Sequence, residues 1–164
     1  MILIEQDTQV RHAALETIPG FLAFGFGSGL SRYAPGTMGT LVAIPFAPLL
    51  KALSPIGYWG LLGVLFLLGI WLCGVTAKRL EKHDPGGIVW DEMVGYWLTI
   101  AFIPLQWPWL LLAFVLFRLF DILKPWPIKL AERLFKGGLG IMADDILAAV
   151  YAMLVLAGIA RLLE

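Results

Sequence analysis

Charge is scarce in this chain and cysteine is almost absent. Only 15% of the 164 residues are charged, against 60% hydrophobic. A soluble domain is about a quarter charged and about half apolar. Together with a mean hydropathy of +0.85, this excludes an ordinary soluble domain and indicates an integral membrane protein. Twelve basic residues balance twelve acidic ones, for a formal net charge of zero. Bulk charge therefore gives no support to a nucleic-acid partner. The single Cys73 excludes an intrachain disulfide and any multi-cysteine metal site. Also lacking are a repeat at fixed period, an inverted pair of broken helices of the transporter kind, and a cleavable-signal pattern. The opening MILIEQDTQVRHAALE is polar and mixed in charge after its first four residues.

What is present is a series of apolar runs separated by charged stretches. The expected fold is all-α: a polytopic membrane bundle of four to five spans, forming one domain over residues 1–164. Residues 1–20 read as an amphipathic or irregular cytoplasmic arm, and 21–164 as the bundle. Phe21 to Thr40, FLAFGFGSGLSRYAPGTMGT, is rich in Gly, Ser and Thr. Its glycines argue against a uniform lipid-facing helix. It is expected to be a re-entrant or interfacial segment covered by other helices, since irregular backbone at membrane depth must be buried in protein or line a wet cavity. A span kinked by Pro45 and Pro48 is expected from about Met38 to Leu53. Tyr58 to Ala77 is an unbroken apolar run of about bilayer length. Met93–Ile103, Trp109–Leu123 and Ile146–Leu163 supply the rest. The first and third runs are short, so a strict hydropathy count gives four.

If Tyr58–Ala77 runs inward, ten basic residues lie inside: Arg11, Arg32, Lys78, Arg79, Lys82, Arg118, Lys124, Lys129, Arg133 and Lys136. Lys51 and Arg161 lie outside. By the positive-inside rule the N-terminus, the 78–92 loop and the 118–143 stretch face the cytoplasm. Every strong acidic cluster then shares that face.

Three carboxylate groups stand at expected helix ends there: Asp91-Glu92, Asp121 and Asp144-Asp145. A carboxylate in a bilayer costs roughly 3 kcal/mol at a helix centre, and clustering adds repulsion. A divalent cation removes that penalty, and hard oxygen ligands suit Mg²⁺ bridging to phosphate oxygens. Taken singly, each acid has a plainer reading. Asp144 or Asp145 caps a helix, Asp121 pairs with Arg118 or Lys124, and Asp91 or Glu92 sits in a first turn. Arg118, Asp121 and Lys124 recur at three-residue spacing, so they share one helix face. That makes Arg118 and Lys124 candidates for holding phosphate, the alternative being contact with lipid headgroups. Lys129, Arg133 and Lys136 read as headgroup anchors. In the Gly-rich stretch, Ser28, Ser31, Thr37 and Thr40 are candidates for polar contacts. Its backbone N–H groups either face an anion at the next helix start or simply allow close helix packing.

Two patterns invite misreading. Cys73 to Arg79 matches the Cys-x5-Arg spacing of cysteine phosphatases, which needs a low-pKa thiolate in an anion-binding loop. Here Cys73 is expected inside an apolar helix. His83, beside Asp84, invites a general-acid role, although a lone loop histidine is more often merely solvated.

At GFGSGLSRYAPGTMGT, HDPGGIVWDEMVG and FRLFDILKPWPIK with GGLGIMADDILA, the chain resembles the phosphatidylglycerophosphatase A family. These motifs stand in order between Gly25 and Ala148. The resemblance implies a Mg²⁺-dependent phosphatase of the bacterial inner membrane that removes the terminal phosphate of phosphatidylglycerophosphate. It implies a metal site carried by Asp91, Glu92, Asp121, Asp144 and Asp145. The expected partners are the phospholipid substrate and the bilayer, with no nucleic acid and an oligomeric state left open. The expected chemistry is direct attack by water, with Glu92 or His83 handling the proton. From the residues alone the reading stops at cation-dependent phosphate chemistry at the cytoplasmic face. A divalent-cation transporter, a lipid-binding scaffold and a CDP-alcohol phosphotransferase are the rivals; the last lacks its Asp-Gly…Ala-Arg…Gly…Asp…Asp pattern here.

Overall fold

The computed structural model describes residues 10–81 and 85–163. Among them every regular element is helical, as composition requires of a chain with few means to satisfy backbone groups outside helices. Residues 10–15 form a helical turn. It is followed by α1 (Ile18–Ala23), α2 (Pro35–Ala43), α3 (Ala47–Lys51), α4 (Pro55–Arg79), α5 (Trp90–Thr99), α6 (Trp107–Leu123), α7 (Ile128–Leu134) and α8 (Gly138–Leu163).

The boundaries follow local chemistry. Ser54 caps α4, its hydroxyl accepting from Gly57 N at 3.2 Å. Pro55 then occupies the first turn, where its missing N–H is not needed. Lys78 and Arg79 close the helix, complementing the negative end of its dipole. Lys124 ends α6 in the left-handed conformation (φ 43°), because the following Pro125 disfavours α geometry for it. The span expected from Met38 to Leu53 is divided into α2, a 3₁₀ turn at Ile44–Phe46 and α3. Pro45 and Pro48 remove two helical donors, so the kink is a break.

Two helices, α4 and α8, are long and apolar enough to cross a membrane. A third of the most apolar window of α4 and half of that of α8 is buried. The remainder of α4 presents Trp59, Val64, Leu67 and Trp71 outward, and α6 likewise presents Leu111, Val115 and Ile122. A soluble monomer rarely exposes apolar area on that scale. The 17 residues of α6 reach about 25 Å and the ten of α5 about 15 Å, against the roughly 30 Å of a hydrocarbon core. So α5 is not a span by itself. It is the hub of the bundle, packed against α2, α4, α6 and α8, and most of its residues are buried. Tyr96, Met93, Leu72, Phe117 and Met142, all fully enclosed, form the core around it.

The Gly-rich stretch is irregular at its start and helical at its end. Gly25, Phe26 and Gly27 all take positive φ, a tight turn after α1. A 3₁₀ turn covers Ser28–Leu30, and α2 begins at Pro35. The stretch packs on the segment leading into α5: a side chain at Gly29 would strike the Gly87 carbonyl. Close packing of small residues thus explains part of its glycine content.

Candidate active site

The first turn of α5 carries Asp91 and Glu92, where the helix dipole favours negative charge. This turn is fixed from several sides. Val89 N donates to Ala23 O at 2.9 Å, and the Trp90 indole donates to Leu65 O of α4 at 3.1 Å. The Trp97 indole donates to Ala43 O at 2.9 Å, and the Tyr96 hydroxyl to Leu110 O at 3.1 Å. Beside that turn runs α8, which approaches closely because Gly95 has no side chain. A Cβ there would crowd Phe117 and lie 3.2 Å from Asp145 O.

Asp145 comes from α8. Oxygens of Asp91, Glu92 and Asp145 all lie within 4.8 Å of one another. Asp91 is 8% exposed and Asp145 only 2%. Asp91 Oδ1, Glu92 Oε2 and Asp145 Oδ1 are buried and make no hydrogen bond. Such groups are costly unless something neutralises them. Burial, reinforced by the Glu92 and Asp145 charges, pushes the Asp91 carboxyl well above its usual range. Glu92 is pushed up to about 7, chiefly by burial and also by Asp121, with Arg118 opposing. Three hard oxygen donors left unsatisfied at this spacing fit a divalent cation such as Mg²⁺.

The basic residues flank this cluster. Arg118 Nη1 lies 2.5 Å from Asp121 Oδ2 and 3.6 Å from Glu92 Oε1. Its contact with Asp121 is off the hydrogen-bonding direction, so Nε and Nη1 remain without a hydrogen bond. Asp121, in the last turn of α6, therefore faces Arg118. Lys124 Nζ donates to Asp144 Oδ2 at 2.6 Å. Asp91, Glu92 and Asp145 converge; Asp121 lies beside Asp145 and Glu92 as well as Arg118, and Asp144 meets Lys124.

The Asp-Asp pair does not open its helix. The helix α8 starts at Gly138, so Asp144 and Asp145 lie well inside it and its first turn holds no acid. Neither is a cap, which removes the plainer reading of that pair. In the Gly-rich stretch, Thr40 donates to Gly36 O at 2.9 Å and Ser28 to Phe24 O at 3.5 Å. Both hydroxyls thus serve local backbone. Thr37 is half-buried in the first turn of α2. The residue that reaches the cluster from this stretch is Gly36, where a Cβ would strike Glu92 Oε1 and crowd Arg118. Nothing local in the sequence signals that Gly36 touches these groups. Cys73 is buried on α4, its Sγ 4.0 Å from Met142 Sδ. Cys73 to Arg79 is continuous helix, so the cysteine-phosphatase spacing has no loop to work in. His83 lies outside the described residues.

The comparisons with known proteins converge on one family. The profile described as "Phosphatidylglycerophosphatase A" matches residues 21–160. The chain is 49% identical over 134 residues to "Phosphatidylglycerophosphatase A" of Escherichia coli (strain K12), covering 79% of this chain and 76% of that one. It is 48% identical over 136 residues to the protein of the same name from Haemophilus influenzae, covering 82% and 83%. A "Putative phosphatidylinositol-3-phosphatase" of Bacteroides thetaiotaomicron is 41% identical over 157 residues, covering 85% and 92%. No solved structure matches. The profile match takes in every side chain of the cluster, from Gly36 to Asp145, and with it the chain belongs to the phosphatidylglycerophosphatase A family.

Proposed function

We propose that this protein is a multi-pass membrane phosphatase that hydrolyses the terminal phosphate of phosphatidylglycerophosphate, with Mg²⁺ held by Asp91, Glu92 and Asp145. The observation that carries the chemistry is the set of buried carboxylate oxygens left without partners within 4.8 Å of one another. The relatives' names supply the lipid. The ten-to-two basic asymmetry supports a site on the cytoplasmic side of the membrane, which in this reading is the bacterial inner membrane.

Bound there, Mg²⁺ would supply charge neutralisation on the phosphoryl oxygens. The chain's own groups do the rest. Arg118, with Nε and Nη1 unused, donates to the phosphoryl group as its charge spreads in the transition state. Asp121 and Glu92 hold that guanidinium in place. Lys124, docked on Asp144, adds positive charge at the same end of α6. Water attacks phosphorus in line, and Glu92 takes its proton. The bond from phosphorus to the glycerol oxygen breaks, the departing alkoxide takes a proton from solvent water while Glu92 releases its own to solvent, and phosphatidylglycerol and inorganic phosphate result. No serine–histidine pair is assembled among the described residues, and Cys73 is enclosed. Direct displacement therefore predicts inversion at phosphorus, which a chiral, isotopically labelled ester reads out.

The test is phosphate release from phosphatidylglycerophosphate by purified protein with Mg²⁺ or with chelator. Unchanged activity in chelator removes the metal from this reading. Because one relative carries the name of a phosphatidylinositol-3-phosphatase, phosphatidylinositol 3-phosphate belongs in the same assay. Faster turnover of that lipid would reassign the substrate while leaving the site intact.

A further inference from the structure

The substrate proposed above carries two phosphates. One is the monoester that is cleaved; the other is the diester joining its glycerol to the lipid. The cluster described so far serves only one of them. Arg118 is assigned above to the cleaved group, and Lys124 is docked on Asp144 beside it. The diester, a three-carbon bridge away from the cleaved group, calls for a further cation.

We infer that Arg32 is that cation, and that it determines specificity by binding the diester phosphate of the lipid headgroup. The inference rests on the reading under Proposed function. Arg32 is exposed and makes no ion pair among the described residues. It sits on a turn with a defined shape. The Ser31 hydroxyl donates to Tyr33 O at 2.9 Å and accepts from Tyr33 N at 3.4 Å. Ala34 takes the left-handed conformation (φ 46°), and Pro35 starts α2 immediately after. An exposed non-glycine residue held at positive φ is uncommon, so this turn is more constrained than a plain connector needs to be. Its far end is Gly36, packed on Glu92 and Arg118. Three residues of chain separate Arg32 from Gly36, so their Cα atoms lie at most about 14 Å apart even if the chain is fully extended. An arginine side chain closes much of that gap, and its planar fork matches phosphate oxygens. Tyr33 beside it is 86% exposed, a residue type enriched where proteins meet lipid headgroups.

The experiment uses detergent-solubilised full-length protein in mixed micelles of fixed composition. It compares wild type, Arg32→Ala, Arg32→Lys and a control, Arg79→Ala, whose exposed side chain lies at the end of α4. Each is assayed on phosphatidylglycerophosphate, with phosphatidylglycerol and inorganic phosphate as competitive inhibitors. The first inhibitor carries only the diester; the second mimics only the cleaved group. Arg32→Ala should raise KM and the phosphatidylglycerol Ki together, about tenfold. It should leave kcat and the phosphate Ki unchanged, with Arg32→Lys in between and Arg79→Ala like wild type. An unchanged KM overturns the inference. So does an equal rise in both inhibition constants, failure of phosphatidylglycerol to inhibit wild type, or the same loss in Arg79→Ala, which would make Arg32 a general surface charge. Absence of wild-type turnover would instead sink the functional reading itself.

Discussion

The two ends of α5 treat buried polarity in opposite ways. At its C-terminal end no buried side-chain polar atom among the described residues is left without a partner. Lys51 donates to Ala101 O and Ile103 O, both at 2.8 Å, and so ties down the turn that follows the helix. The Tyr58 hydroxyl donates to Trp97 O at 2.5 Å, and Thr99 donates to Gly95 O at 3.0 Å. At its N-terminal end Asp91 and Glu92 meet Asp145 with oxygens left over. One short helix thus joins a satisfied anchor to an unsatisfied site. The anchor belongs to folding, because a buried donor without an acceptor costs about 1–3 kcal/mol. The other end opposes folding, and on the reading proposed above a bound cation would relieve it, as at sites built for charge.

The largest effect that could break this contrast comes from the acids. Asp91→Asn and Asp145→Asn should each lower phosphate release by roughly 10²–10³-fold, the scale of losing one preorganised charge contact. The metal-free protein should melt at the same or a higher temperature, because repulsion is removed. A variant that loses activity and melts much lower would make the pair structural.

Gly36→Ala comes next. Its methyl would enter the space of Glu92 Oε1 and Arg118, so activity should fall about tenfold or more, as small misplacements near reacting groups do. Gly60→Ala, where a Cβ meets open space, is the matched control and should be silent in kinetics. Equal kinetics for the two would mean that α2 does not shape the site.

At the anchor, Lys51→Met should cost about 1–3 kcal/mol of stability by orphaning two carbonyls, yet leave kcat/KM of the folded fraction within about twofold. A large kinetic loss at an unchanged melting temperature would break the division between the two ends.

The smallest effect is in pH. Glu92 is held near 7 in the fold, above its unfolded range near 4.5. Below about 4.5 both states are protonated and the group is neutral in effect. As pH rises toward 7 the unfolded chain ionises first, so the metal-free fold loses stability, fully by the time pH passes its folded value. The metal-free melting temperature should therefore fall between pH 5 and 8, and saturating Mg²⁺ should flatten the slope. A melting temperature that rises over that window would contradict the burial of these acids.

The sequence made the anchor invisible and the site half visible. Asp91, Glu92 and Asp145 were legible because carboxylates are conspicuous in an apolar chain, and three acidic groups assigned to one face suggested a cation. Their partition was not legible. Only the crossing of α5 and α8 at Gly95 selects Asp145 over Asp144, and only the left-handed end of α6 sends Lys124 to Asp144. The helical class and the long apolar run Tyr58–Ala77, which lies within α4 (Pro55–Arg79), followed from composition and length. The break after α2 was read as a kink because two prolines, Pro45 and Pro48, leave the degree of bending to tertiary packing. Lys51 read as an ordinary external lysine, since nothing local shows that it folds back on carbonyls 50 and 52 residues away.

The central claim is that the unsatisfied end of α5 is a divalent-cation site. Its most direct test is the melting temperature of purified protein titrated with Mg²⁺, without substrate, for wild type, Asp145→Asn and Lys51→Met. Wild type and Lys51→Met should be stabilised saturably by the same increment, and Asp145→Asn should lose that increment. No shift in wild type, or an undiminished shift in Asp145→Asn, would contradict it.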